Sequence, residues 1–327
     1  MRTSRRNFIA KSLLASAAML ASTKKGFGAA AQDPNATTYA SPGPGAFSIS
    51  IFSKTLHWMN YQEMADAVAE MGFDGIDLTV RPEGHVVPER VADDLPRAFE
   101  AIKKAGLNIY MITTAINRAD DPFTQPILKT AGSLGIPFYR MGWIAYDEKK
   151  SIEDNLKIFK DEMTKLAALN KTYGIHGGYQ NHSGMSFGSP VWDLWTILKE
   201  LDPQWIGSQY DVLHATVEGA NSWPLGLRSL KSYIRTVDIK DFYWTKKDNQ
   251  WRAQVVPLGE GMIDFGRFFR LLKDYNISAP LSMHFEYPLG GAEHGAKNIT
   301  MNKEEVLNAM KQDVITLKRL LRESGVG

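Results

Sequence analysis

The sequence predicts a (β/α)8 barrel, an α/β fold in a single domain. Three observations predict it. Short apolar runs rich in Ile, Val, Phe and Tyr alternate eight times with longer segments of 3.6-residue period. The alternation fills about 280 residues, close to the ~250 typical of such barrels. Gly72, Gly106, Gly135 and Gly174 each stand just before a strand, where the C-terminal glycine of a helix belongs. A doubly wound sheet would more often carry a glycine-rich turn after its first strand, and Phe52-Ser53-Lys54-Thr55-Leu56 is not one.

The units run in order along the chain. Phe47–Phe52 reads as a strand, with a helix near Tyr61–Met71. Asp74–Val80 precedes a helix near Pro88–Ala105, and Leu107–Thr113 precedes one near Phe123–Leu134. Ile136–Gly142 leads to the long amphipathic stretch Ile152–Tyr173, and Ile175–Asn181 to a helix starting near Pro190. Trp205–Asp211 leads to a short helix around Pro224–Lys231. Ile234–Lys240 runs through a long insertion to a helix near Asp264–Tyr275, and Pro280–Glu286 leads to the last helix, Lys303–Arg322. Strands joined through helices pair in parallel by right-handed crossovers.

Ahead of the barrel the sequence has another character. Arg2, Arg5, Arg6, Lys11, Lys24 and Lys25 precede the first acid, Asp33. The apolar run Leu13–Ala21 is too short to span a bilayer, and Ala29-Ala30-Ala31 supplies small residues for cleavage. The head, Ser4-Arg5-Arg6-Asn7-Phe8-Ile9-Ala10-Lys11, resembles a twin-arginine export signal. Residues 1–31 are therefore expected to be a signal peptide, 32–46 a Pro- and Gly-containing linker, and 47–327 the barrel. The resemblance implies a twin-arginine translocase as partner during export, a periplasmic location and no membrane anchor after cleavage.

Charge changes with that division. The whole chain has 38 basic and 36 acidic residues. Removing six basic residues leaves 32 against 36, a charge of −4. An acidic protein offers no footprint for nucleic-acid phosphates. The absence of cysteine excludes disulfides, thiolate metal sites and a cysteine nucleophile.

Active sites of barrels lie at the C-terminal ends of the strands. There stand Asp77, Arg81 and His85 around the second strand, Thr113 and Thr114 on the third, and Arg140 on the fourth. The fifth ends Gln180-Asn181-His182, and the sixth Asp211 with His214 beyond. The seventh carries Asp238, Lys240 and Asp241, and the eighth His284 and Glu286. Asp241 and Asp264 read as structural caps rather than site residues. Gln180, Asp211, Asp238 and Glu286 bracket one quadrant of the rim. Oxygen donors with histidine nearby suit Mn²⁺ or Mg²⁺, which would polarise a carbonyl.

The segments Gln180-Asn181-His182, Tyr210-Asp211-Val212-Leu213-His214-Ala215, Val237-Asp238-Ile239-Lys240-Asp241 and Glu286 resemble the xylose isomerase-like barrel superfamily over roughly residues 47–322. Leu258–Asp264 is also similar to it. The superfamily holds sugar isomerases and epimerases, inosose dehydratases and endonuclease-four-type nucleases. Its usual metal set is glutamate, aspartate, histidine and glutamate on strands five to eight. Asp211 and Glu286 match that set, Gln180 stands for the first glutamate and Asp238 for the histidine. Gln180 can ligate through its carbonyl but cannot serve as a base.

The resemblance implies an exported, divalent-metal-dependent carbohydrate isomerase or epimerase that removes a proton next to a sugar carbonyl. With one base of the family pair missing, a lyase or hydratase acting on 3-keto-glycosides is the alternative, and a non-catalytic sugar-binding barrel the third reading. Glu286, His182 and His214 are the candidate proton carriers. Arg81, His85, Arg140 and Lys240 are the expected contacts to a hydroxyl-rich substrate. Tyr243, Trp244 and Trp251 in the insertion are candidates to cover the site or to pack a second copy in a homo-oligomer, and the loop Tyr287–Thr300, with His294, to act as a lid.

Overall fold

A computed structural model describes residues 47–326. The expected signal peptide, with Arg5 and Arg6, and the linker lie outside the described residues. Eight parallel strands close into a barrel: β1 Ile49–Phe52, β2 Gly75–Val80, β3 Asn108–Thr114, β4 Phe138–Arg140, β5 His176–Gln180, β6 Ile206–Asp211, β7 Ile234–Ile239 and β10 Leu281–Met283. Two further strands, β8 Asp241–Lys247 and β9 Gln250–Val256, stand outside it in the insertion after β7. β1 pairs with both β2 and β10, so no barrel edge is left open. The helices outside are α1 Tyr61–Met71, α2 Val91–Lys104, α3 Thr124–Ser133, α4 Ile152–Tyr173, α5 Val191–Leu198, α6 Val212–Gly219, α7 Trp223–Leu230, α8 Phe265–Asp274 and α9 Lys303–Glu323. Among the described residues no helix is long and apolar enough to cross a membrane.

Local chemistry sets the element ends. Asn60 caps α1 in a reciprocal capping box with Glu63. Gly72 and Gly174 end α1 and α4 at φ of 87° and 66°, values an L side chain rarely adopts. Ser151 caps α4, and Asp264 caps α8 by accepting from the Arg267 amide. One face of each helix packs on the barrel: α1 buries Met64, Ala65, Val68 and Met71, and α8 buries Phe265, Phe268, Phe269 and Leu272. Fully burying a side chain of this size contributes ~1.5–3 kcal/mol, so the shell is held chiefly by these stripes.

Two elements differ from the sequence reading. α6 starts directly at the end of β6, without a loop. Its β-branched Val212, Thr216 and Val217 weaken intrinsic helix propensity, and the helix is fixed instead by Asp211, whose side chain accepts from the His214 amide. The insertion after β7 is an antiparallel hairpin of β8 with β9. Asp248 and Asn249 turn it at φ of 51° and 59°, as a two-residue hairpin turn requires. Tyr243, Trp244 and Trp251 are exposed on it.

Candidate active site

Layering by strand register decides which side chains meet in the barrel mouth. Asp238 is level with Ser282 of β10 and with Asp211 of β6. Side chains two residues apart on a strand share a face one layer apart. Lys240 therefore stands one layer nearer the mouth than Asp238, and Glu286 two layers beyond Ser282.

The deep layer is a polar set in which Gln209 Oε1, Asp238 Oδ2 and His284 Nε2 are buried without a hydrogen-bond partner among the described residues. Asp238 Oδ1 accepts from Gln209 Nε2 at 2.6 Å and lies 3.2 Å from His284 Nε2. Asp77 sits within β2, not at its end, and accepts from Thr113 and Ser282, each at 2.8 Å. Burial raises the Asp77 pKa. His284 stacks on Phe52, ring centroids 4.4 Å apart.

From Asp211, level with Asp238, a chain of alternating charges runs toward the mouth. Lys54 Nζ donates to Glu286 Oε1 at 3.1 Å, and Lys240 Nζ donates to Glu286 Oε2 and lies against Asp211 Oδ2, both at 3.2 Å. Lys240 also donates to His214 Nε2 at 2.8 Å. An ammonium has no lone pair, so His214 carries its proton on Nδ1 and donates it to Ser183 Oγ at 2.8 Å. Burial holds the His214 pKa well below the usual imidazole value, so the ring is neutral and its 3.6 Å approach to Asp211 is no ion pair.

The carboxylates are ionised by this company. Burial would raise both, but the Lys240 and Lys54 charges hold Glu286 well below the ordinary range, and the Lys240 charge with the His214 backbone amide holds Asp211 below it. Burial likewise opposes the Lys240 charge, and Asp211, Glu286 and Asp238 outweigh it, so the ammonium persists.

Gln180 is fixed at both ends. Its Oε1 accepts from Arg140 Nη1 at 2.9 Å and its Nε2 donates to Asp211 Oδ2 at 2.9 Å. An arginine only donates and a carboxylate only accepts, so the amide has one orientation. Asn181 ties β5 to β6 by donating to the Asp211 carbonyl and accepting from its amide, each at 2.9 Å.

The outer wall is cationic and aromatic. Lys54 Nζ and the Arg81 and Arg140 guanidinium carbons lie 5.7, 5.5 and 5.3 Å from the Phe52 ring centroid. Burial and the neighbouring Arg140 lower Arg81 to about 10. Neither arginine has a carboxylate partner among the described residues, and the buried Arg140 Nε has no acceptor there. His182 is half-buried between His214 and Trp143, at centroid distances of 3.8 and 4.5 Å. Its Nδ1 donates to the Ser183 carbonyl, which leaves the lone pair on Nε2. Burial and then Lys240 lower its pKa, so it is neutral at neutral pH.

Against the sequence expectations, Arg81, Arg140, His182, Asp211, His214, Lys240 and Glu286 meet in one mouth. His85 does not present itself to a ligand. Its Nδ1 lies against Thr79 and Ser53 and its Nε2 against the Leu56 carbonyl, and burial with His57 lowers it to about 3. Asp241 holds the returning loop through the amides of Gly259 and Gly261. The loop Tyr287–Thr300 is pinned rather than poised as a lid: Glu293 accepts from Leu289 and Gly291, and the Gly295 carbonyl meets His57. Lys54 and Trp143 were missed; each lies two or three residues past a strand end, the one signal that marks them.

The expected four-ligand metal site does not match these residues. Gln180 spends its carbonyl on Arg140 and turns its NH₂ to Asp211. Asp238 turns to Gln209 and His284, and Lys240, one layer nearer the mouth, lies between Asp211 and Glu286. Among the described residues no group of three or more His, Cys, Asp or Glu is placed to hold a metal ion.

Several solved structures share the fold. A 3-keto-D-glucoside 4-epimerase from E. coli aligns at a TM-score of 0.61 and 14% identity, over 84% of this chain and 100% of that one. An L-ribulose 3-epimerase aligns at 0.66 and 15%, over 85% and 96%. A xylose isomerase-like barrel protein from Mycobacterium smegmatis, solved with magnesium, aligns at 0.59 and 14%, over 82% and 98%. No match is found among curated protein sequences. The family model described as xylose isomerase-like TIM barrel matches residues 65–304, and the chain belongs to that family.

Proposed function

We propose that this protein is a carbohydrate isomerase or epimerase-type enzyme that removes a proton from the carbon next to a sugar carbonyl. One observation carries the reading. A neutral imidazole with a free lone pair, His182, stands in the same mouth as two arginines that have no carboxylate partner. The family membership and the epimerases among its structural neighbours support a sugar as substrate.

In this reading Arg81, Arg140 and Lys54 donate to the carbonyl and neighbouring hydroxyls, and exposed Trp143 lies under an apolar sugar face. His182 Nε2 takes the proton from the α-carbon, and the electron pair moves to the carbonyl oxygen as an enolate. Arg140 and Lys54 stabilise that charge better than the ground-state carbonyl. Return of the proton to the adjoining carbon, with transfer of the hydroxyl proton, completes an isomerisation. His182 is preferred over Glu286, because two ammonium groups hold that carboxylate weakly basic, and over His214, whose lone pair is engaged by Lys240.

Gln180 favours a second reading. Its amide cannot accept a proton, so a two-base epimerisation lacks one partner. One-sided proton removal also serves elimination, in which the enolate of a 3-keto-glycoside expels its aglycone. Incubating the protein with unphosphorylated ketoses and with 3-keto-glucosides in D₂O separates these outcomes. Deuterium at the α-carbon with an isomerised sugar supports the first reading, and released aglycone the second. Binding without exchange would leave a sugar-binding barrel. The basic head with Arg5 and Arg6 supports export to the periplasm; fractionation with N-terminal sequencing tests it, and a periplasmic chain retaining Met1 would refute cleavage.

A further inference from the structure

We infer that the Lys240 ammonium takes the place of a divalent cation among Asp211, Glu286 and His214, so that proton transfer in this site is independent of a metal ion. The inference concerns the same site as the proposed function and takes from it that chemistry occurs there.

Position is the first argument. Lys240 Nζ lies 3.2 Å from Asp211 Oδ2, 3.2 Å from Glu286 Oε2 and 2.8 Å from His214 Nε2. The ammonium donates to His214 and Glu286 and forms an ion pair with Asp211, so it has three partners. Size is the second. Mg²⁺ binds oxygen at ~2.0–2.1 Å. The two carboxylates would each have to close by about 1 Å on a centre that the lysine first vacates. The cage is built to ammonium dimensions.

Charge is the third argument. Lys54, Arg81, Arg140 and Lys240 gather around this mouth with Asp211, Glu286 and Asp238, and Asp77 lies in the layer beneath. Four cations against four carboxyl groups, of which burial raises the Asp77 pKa, leave no anionic excess to offset a further double charge. Gln180 is the fourth. With its NH₂ directed at Asp211 it adds a donor where a ligand set would need an acceptor.

The consequence is a division of labour. Lys240 is a positioning residue: it neutralises Asp211 and Glu286 and orients His214, on which His182 stacks. The substrate oxygen then falls to donors not already spent, Lys54 with one acid partner and Arg140 with an unused Nε.

The test is a Mn²⁺ titration of the wild-type protein followed by electron paramagnetic resonance. The six-line signal of free Mn²⁺ should persist at equimolar protein and metal. Its stoichiometric quenching would overturn the inference, whatever the substrate proves to be. In parallel, deuterium exchange into a 3-keto-glucoside should be unchanged by EDTA; loss on chelation and recovery with Mn²⁺ would overturn it. Lys240→Ala should lose exchange at least 100-fold, mainly in kcat, and regain tenfold or more with ethylammonium. Failure of ethylammonium to restore any exchange in a variant that keeps the wild-type melting temperature would defeat the inference. Absence of exchange in every condition would sink the proposed function, while the resonance titration still decides the question of the ion.

Discussion

Two pairs of carboxylates in this barrel have pKa values moved in opposite directions. Asp211 and Glu286 in the mouth are held below the usual carboxylate range, against burial, by Lys240 and, for Glu286, by Lys54 as well. Asp193 and Asp313 on the flanks are pushed up by burial, to about 6 and about 7. The flank acids are hydrogen-bonded only by neutral groups, Tyr146 and the Gly188 amide in one case, Tyr287 and the Leu258 amide in the other. Depth does not separate the pairs. The presence of a cation within contact does, and it sets the acids of the candidate site apart from those of the flanks.

Lys240 is where that comparison breaks most easily. Lys240→Met leaves two carboxylates and an imidazole facing an apolar chain. Removing one partner of a buried ion pair costs ~3–5 kcal/mol, so urea unfolding at pH 7 should show a loss of that order. The wild type should also lose stability on acidification, because Asp211 and Glu286 contribute above the unfolded carboxylate pKa of ~4 and lose that contribution as pH falls through their lower folded values. Lys240→Met should flatten that acid limb. An unchanged limb would mean that the lysine does not set the charge of these acids.

His182→Ala tests the base at smaller cost to the fold, since the ring is only half-buried. Exchange of the substrate α-proton should fall ~10²–10⁴-fold with little change in melting temperature. In the wild type the rate should be flat at neutral pH and fall only below pH 6.5, the ordinary imidazole value, because burial and Lys240 lower the His182 pKa. A rate that falls already above pH 7 would reject a neutral His182 as the base.

The barrel was legible because its strands are short, largely apolar runs, fully buried as in β2, and its helices carry one buried stripe, as in α8. The strand-end rule found Arg140, His182, Asp211, Lys240 and Glu286. Depth was not legible. Asp238 and Lys240 differ by two residues, and only the register with Ser282 shows that one lies beneath the mouth and the other within it. The pairing of Lys54 with Glu286 spans 232 residues and exists only because β1 and β10 close the barrel. His85 carried the right chemistry at the right strand end, yet the turn after β2 directs both its nitrogens into protein.

Gln180→Glu offers an intermediate test. The new carboxylate would meet Asp211 where an amide now donates at 2.9 Å, and a lost hydrogen bond of this kind costs ~1–3 kcal/mol. Restoring the family glutamate should therefore destabilise the protein at pH 7, and the loss should shrink at pH 4 as the pair takes up a proton. A stabilised variant would show that the amide is not a required donor.

The smallest expected effect comes from the flank. For Asp313 the folded value of about 7 lies above the unfolded ~4. The folded state therefore holds a proton that the unfolded chain releases. Its contribution is fully present below pH ~4 and is lost as pH rises to about 7, the reverse of the rim. Asp313→Asn keeps the shape and cannot ionise, so its melting temperature relative to wild type should rise between pH 5 and 8, by the equivalent of ~1–3 kcal/mol. A parallel pair of curves would place Asp313 among the ionised acids, and the contrast between rim and flank would then rest on Asp193 alone.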